Sequence, residues 1–249
     1  TVHTQEYLRS KWNIFGRLLL LVSEYIGIKV AHKIICVSDS LSKYVKSRYK
    51  KHSEVIPYYL EYKKNKSPKL LRKFKLKRNK YILYLGRFTK EKRVDWLIKA
   101  FKEINPPNTI LILAGGNIQD VPYVQYLKRL IRNSDKIKII GYIFGKEKEV
   151  LLSNCKLFVS PSSIEGCSLA LIEALSYKKP ILVNKTTKFN NSVNKSNELF
   201  FFKQNDYNDF KKKLKKLLLS KEINFRINYF SSNLISKKEF FLRYSRLFK

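Results

Sequence analysis

The stretch that decides the fold is "VSPSSIEGCSLALIEAL", residues 159–175. It runs from a β-branched apolar strand end, through a Pro-Ser-Ser loop, into an apolar helical pattern. Leu157–Ser160 reads as a strand, Pro161–Glu165 as a loop, and a helix begins near Gly166–Ser168. Glu165 lies at the end of the loop. Glu173 lies about a turn and a half into the helix, among Leu169, Leu171, Ile172, Ala174 and Leu175. A buried carboxylate costs several kcal/mol unless it accepts hydrogen bonds. Two vicinal hydroxyls meet that need, one per oxygen, as a ribose diol does in dinucleotide folds.

Working outward, the same strand-then-helix unit repeats. "YILYLG", "TILILAGG", "KIKIIG", "KLFVS", "PILVN" and "ELFFF" read as short apolar strands. Helical patterns at 94–104, 121–134, 146–154, 168–177 and 206–219 alternate with them. Near-continuous apolar strands separated by helices predict an α/β fold, a parallel sheet covered on both faces in a doubly wound arrangement.

Upstream, "KIICVS" and "EVIP" read as strands around a helix, "LSKYVKSRYKK", with Asp39 and Ser40 as cap candidates. Residues 5–32 read as a long amphipathic helix or helix pair. The charged, Pro-containing stretch 63–80 reads as a linker. The domain reading is therefore 1–62, linker 63–80, a second domain over 81–225, and a C-terminal helical segment 226–249. The first sixty residues hold about three strands, half of a doubly wound domain. With no Met in the chain, the expectation is that strands precede Thr1 in the natural protein. Apolar helix faces such as Leu18–Val22 are then expected to lack partners.

With 52 Lys and Arg against 19 Asp and Glu, the formal net charge is +33. Such a charge favours polyanions, phosphorylated ligands or an anionic membrane surface. The cations are spread along the whole chain, and no nucleic-acid-binding signature appears, so no nucleic acid partner is expected. Cys36, Cys155 and Cys167 fit neither a metal-ligand spacing nor a complete disulfide set, which suits a reducing cytoplasm. Cys167 sits at a helix N-terminus but has no visible His–Asn partnership for nucleophilic catalysis. No D-x-D pair is present, so no metal and no other cofactor are expected.

In open α/β sheets ligands bind where strand ends meet loops. "GRFTKEKR", residues 86–93, places Arg87 and Lys92 just past a strand. Arg as a fork and Lys as a point charge suit a diphosphate. "LAGG" supplies a turn at Gly115 and Gly116, and "IIGYI" sets Gly141–Ile143 at another strand end.

These pieces, in this order, resemble the retaining glycosyltransferases of family 4. The motifs are "GRFTKEKR", "LILAGG", "IIGYI" and "SPSSIEGCSLALIEALSYKKPILV", the last with an E-x7-E pattern. The match is clear over about 81–202 and weaker upstream. The resemblance implies a GT-B fold of two Rossmann-like domains, the N-terminal acceptor domain incomplete here and 81–225 the donor domain. It implies that 226–249 packs back toward the N-terminal domain. It implies donor-diphosphate binding by Arg87, Lys92 and the Gly166, Cys167, Ser168 segment, and ribose binding by Glu173. Glu165 would contact sugar hydroxyls, and Tyr142 and Ile143 would lie beside the nucleobase. "TVHT" resembles the strand end that carries the family's sugar-facing histidine, which would make His3 catalytic with Glu165. The donor would be a nucleotide-diphosphate sugar, and the acceptor a cell-surface glycan or lipid-linked molecule. The setting would be cytoplasmic, or peripheral on the inner face of the cell membrane. Departures include Lys179 where the family usually has Gly. The alternatives are an inactive nucleotide-sugar-binding fragment and a basic nucleic-acid-binding protein.

Overall fold

The computed structural model describes residues 1–3, 5, 7, 12–59, 63, 66–116, 121–163, 169–185, 199–220 and 235–247. The larger unit is a six-stranded parallel sheet of β3 (Tyr81–Leu85), β4 (Ile110–Ala114), β5 (Ile137–Gly141), β6 (Leu157–Ser160), β7 (Ile181–Asn184) and β8 (Leu199–Phe202). Its spatial order is β5-β4-β3-β6-β7-β8. In chain order within the sheet this is 3-2-1-4-5-6, the doubly wound order whose switch point lies between its first and fourth strands. Here those are β3 and β6, joined by Ile82 opposite Leu157 and Leu83 opposite Phe158.

Strand alternation explains why both faces are covered. Tyr81 and Leu83 point into one core, with Leu151 and Leu152 of α5 (Gly145–Asn154) and Leu171, Ala174 and Leu175 of α6 (Leu169–Ser176). Ile82 and Tyr84 point into the other core. There they meet α3 (Val94–Ile104), α4 (Val121–Ile131) and α7 (Tyr207–Leu219). In α3, Val94, Leu97, Ile98 and Phe101 are the buried i, i+3, i+4, i+7 set that its sequence period requires. Each large apolar side chain removed from water contributes about 1.5–3 kcal/mol. The fully buried Tyr81 keeps that gain because its hydroxyl donates to Leu151 O at 2.7 Å.

The smaller unit pairs β1 (Ile35–Cys36) with β2 (Glu54–Val55) in parallel, and Val2 bridges to Cys36 on the other side. Two helices flank it, α1 (Ile14–Val30) and α2 (Asp39–Tyr49). Asp39 and Ser40 are not the cap of α2. Ser38 takes that place, with extended backbone and Oγ accepting from Leu41 N, while Asp39 is already helical and complements the N-terminal dipole. The stretch expected as a linker is also partly structural. Pro68–Phe74 forms 3-10 turns, and Leu71 and Leu76 are buried in the core beside Tyr81. The charge density of 63–80 masked two apolar anchors within it.

Glu24, which interrupts the apolar run of α1, has a packing role. Its Oε1 accepts from the hydroxyls of Tyr44 and Tyr49, each at 2.5 Å, and so ties α1 to α2. On the opposite side Phe15, Leu18, Leu19, Val22, Ile26 and Val30 are exposed. A C-terminal helix, α8 (Lys237–Arg246), lies against the smaller unit. Phe240 and Tyr244 pack with Ile35, Ile56 and Tyr59, and Lys33 Nζ donates to Leu247 O at 2.7 Å.

Candidate functional site

The switch point gathers two loops. The loop after β3 begins at Gly86, passes Arg87, and ends in a 3-10 turn, Lys90–Lys92. The loop after β6 begins at Pro161. Their junction is the carbonyl of Glu91, which accepts from Ser163 N at 2.8 Å, Ser163 Oγ at 3.1 Å and Ser162 Oγ at 3.3 Å. Asn184, at the end of β7, donates to Ser162 O from beneath. The turn bearing Lys92 is thereby fastened to the start of the loop that leads into α6.

Arg87 is exposed, and its carbonyl accepts from the buried Tyr84 hydroxyl at 2.7 Å. This anchors the Arg87 backbone just past the carboxyl end of β3. Behind the loop, Gly86 N donates to Ala114 O and Gly115 N donates to Gly141 O. Gly115 has φ +135°, and a Cβ on it would stand 1.9 Å from Gly86 O. The crossing of these two backbones therefore requires glycine, although the sequence presents it as an ordinary turn.

Glu173 is half-buried on α6. Its Oε1 accepts from Lys148 Nζ of α5 at 2.6 Å. Both partners keep solvent contact, which holds the pair to about 0–1 kcal/mol of stability. Tyr142 is exposed and its ring lies against Gly116, while Ile143 is buried in the core. Both glycines that bound this loop have positive φ, Gly141 at +71° and Gly145 at +51°. Glu165, Gly166, Cys167 and Ser168 lie outside the described residues.

His3 is in the smaller unit, one residue past the Val2 bridge. Its Nδ1 bonds the Tyr58 hydroxyl at 2.8 Å, and the two rings stack. Partial burial lowers its pKa below the ordinary histidine value.

The structure thus brings the turn that bears Lys92 against Ser162 and Ser163, just past β6, and sets Glu173 on α6. Sequence reasoning missed three participants. Tyr84 is one of several apolar-run residues, and nothing local marks its hydroxyl. Glu91 acts through its main chain. Lys148 stands in "KEKE", where charge alternation conceals which lysine faces α6. A concavity of about 490 Å³ lined by Lys90, Arg93, Asp95, Trp96 and Tyr123 lies nearby. Its groups already serve one another, since Tyr123 donates to Asp95 at 2.7 Å and Arg93 covers the Trp96 ring.

Comparison with known proteins gives a family match. Residues 66–234 fit the model for "Glycosyl transferases group 1". The chain is 25% identical over 173 residues to an uncharacterized glycosyltransferase, YqgM, of Bacillus subtilis, covering 68% of this chain and 46% of that protein. It is 29% identical over 123 residues to O-antigen chain mannosyltransferase B of Escherichia coli, covering 47% of this chain and 32% of that protein. The chain therefore spans half or less of these relatives' lengths. Among solved structures it is similar to HepE of Anabaena in complex with UDP and glucose, with TM-score 0.75 and 16% identity. That match covers 99% of this chain and 70% of HepE.

Proposed function

The chain belongs to the group 1 glycosyl transferases, and we propose that it serves a retaining transfer of a sugar from a nucleotide-diphosphate donor to a cell-surface glycan or lipid-linked acceptor. One observation carries this reading. The switch point between β3 and β6 carries Arg87 and Lys92 on one loop and feeds, by the other, the helix that bears Glu173. HepE, of the same fold, is described with UDP and glucose, which supports the same class of donor here. The O-antigen relative supports a glycan acceptor.

In this reading the diphosphate lies against Arg87, Lys92 and the backbone of Gly166, Cys167 and Ser168. Negative charge grows on it as the glycosidic bond breaks, and fixed cations and N–H groups stabilise that charge without reorganising. Glu165 orients the sugar as it becomes oxocarbenium-like. Glu173 accepts the ribose hydroxyls. Tyr142 lies at the nucleobase, with Ile143 packing the loop from below. His3 faces the donor sugar from the smaller unit as a hydrogen-bonding group. No divalent metal takes part, because the cations of the chain carry the charge role. The protein works in the cytoplasm, peripheral to the inner face of the membrane, with the exposed cations Arg17, Lys29, Lys43, Lys46 and Arg48 of the smaller unit as the contact surface.

The test is calorimetric titration with UDP, GDP and ADP, with and without EDTA. Binding should survive EDTA. Glu173→Ala should cost up to about 3 kcal/mol, the scale of charge-assisted hydrogen bonds, and should affect a 2′,3′-dideoxy nucleotide much less. Equal losses for both nucleotides exclude the ribose role, and loss with EDTA excludes the metal-free site.

A further inference from the structure

α5 carries four charges in a row, Lys146, Glu147, Lys148 and Glu149, and they do not pair with one another. Glu147 takes Lys73 at 2.5 Å, and Glu149 takes Lys63 and Lys66 at 3.4 and 3.3 Å. All three partners come from the segment that precedes β3. Lys148 points elsewhere, since successive residues on a helix face different sides. It crosses to α6 and donates to Glu173 Oε1 at 2.6 Å. The two helices are fixed against each other through Leu151, Leu152, Leu171 and Leu175. Lys148 also stands one turn after Phe144, the N-cap residue of α5, which follows Tyr142 and Ile143. A single helical turn thus links the nucleobase loop to the Glu173 carboxylate.

We propose that Lys148 is a positioning residue of the donor site, one that holds the Glu173 carboxylate for the ribose diol. The inference rests on the reading of Glu173 as the ribose acceptor. A carboxylate offers about four lone-pair sites. Lys148 takes one on Oε1 and leaves Oε2 and the remaining Oε1 site to two hydroxyls. Without the ammonium, Glu173 samples other rotamers and no longer meets both ribose hydroxyls.

The test uses the whole chain and the tightest binder among UDP, GDP and ADP, together with its 2′,3′-dideoxy analogue. Lys148→Met should weaken the ribonucleotide about tenfold and the dideoxy analogue less than about twofold, by loss of a charge-assisted contact to the ribose acceptor. Lys148→Arg should stay within about threefold of the parent chain, because the cation is retained. Glu173→Gln should reproduce the ribose-selective loss of Lys148→Met. A Lys148→Met chain that binds the ribonucleotide like the parent overturns the proposal. So does an equal loss of both ligands, which assigns Lys148 to the phosphates or to stability. Failure of Lys148→Arg to rescue also overturns it. If Glu173→Gln leaves ribose selectivity intact, or no nucleotide binds the parent chain, the underlying reading of Glu173 fails, and Lys148 fails with it.

Discussion

Three glycines at the carboxyl ends of the strands allow a graded test of the site's backbone. Each is changed to Ala. At Gly115 the new Cβ would stand 1.9 Å from Gly86 O, and φ is +135°. The dihedral costs about 1–3 kcal/mol, and forcing the two backbones apart costs about 1–3 kcal/mol more, so a loss of about 4 kcal/mol is expected. At Gly141 the space is open, but φ is +71°. A left-handed non-glycine residue costs about 1–2 kcal/mol, of which a stiffer unfolded chain returns about 0.4–1, leaving a net loss of about 1 kcal/mol. At Gly116 the Cβ meets the Tyr142 ring at 3.2 Å. Tyr142 is 53% exposed and free to swing aside, so the change should stay within about 0.5 kcal/mol. Urea unfolding followed by tryptophan fluorescence gives the three values, with m used to check that each transition is of the same kind. The order Gly115 well above Gly141, and Gly141 above Gly116, is the result expected. A Gly115→Ala chain as stable as the parent would refute the claim that this crossing sets the path of the Arg87 loop. Gly115→Ala should also weaken nucleotide binding in conditions where it stays folded, because Arg87 lies one residue beyond the contact.

Cys36 and Cys155 are both buried, and burial raises both thiol pKa values, that of Cys155 to about 12. In a Cys167→Ser background neither should react with a thiol reagent at pH 8 until the chain unfolds, and rapid labelling of the native chain would contradict this packing. The exposed cations Arg17, Lys29, Lys43, Lys46 and Arg48 should bring the chain down with phosphatidylglycerol vesicles at low salt, and binding should fall as salt rises from about 0.05 to 0.5 M because screening shortens the reach of surface charge. Lys43→Glu with Lys46→Glu should abolish it; sedimentation indifferent to both salt and substitution would remove this basic surface as the contact.

Local pattern carried much of this protein. The apolar runs of β3 to β8 and the i, i+3, i+4, i+7 period of α3 lie within windows of ten residues or fewer, so they can be read one element at a time. The cationic pair Arg87 and Lys92 and the seven-residue gap between Glu165 and Glu173 are local in the same way. A composition signal misled at 63–80, where Leu71 and Leu76 enter the core from within a run of lysines. What only the tertiary structure decided are the meetings across chain distance. The β5-β4-β3-β6-β7-β8 order places β6 beside β3, not beside β5, its neighbour in sequence. That choice alone puts the Glu91 carbonyl against Ser162 and Ser163, some seventy residues on. The same holds for Gly115 against Gly86, for Lys148 on Glu173, and for Glu24 beneath Tyr44 and Tyr49. A residue's period tells which side of its own element it occupies. The partner it meets there depends on which elements share a core, and that is settled by the packing of the whole sheet and its helices.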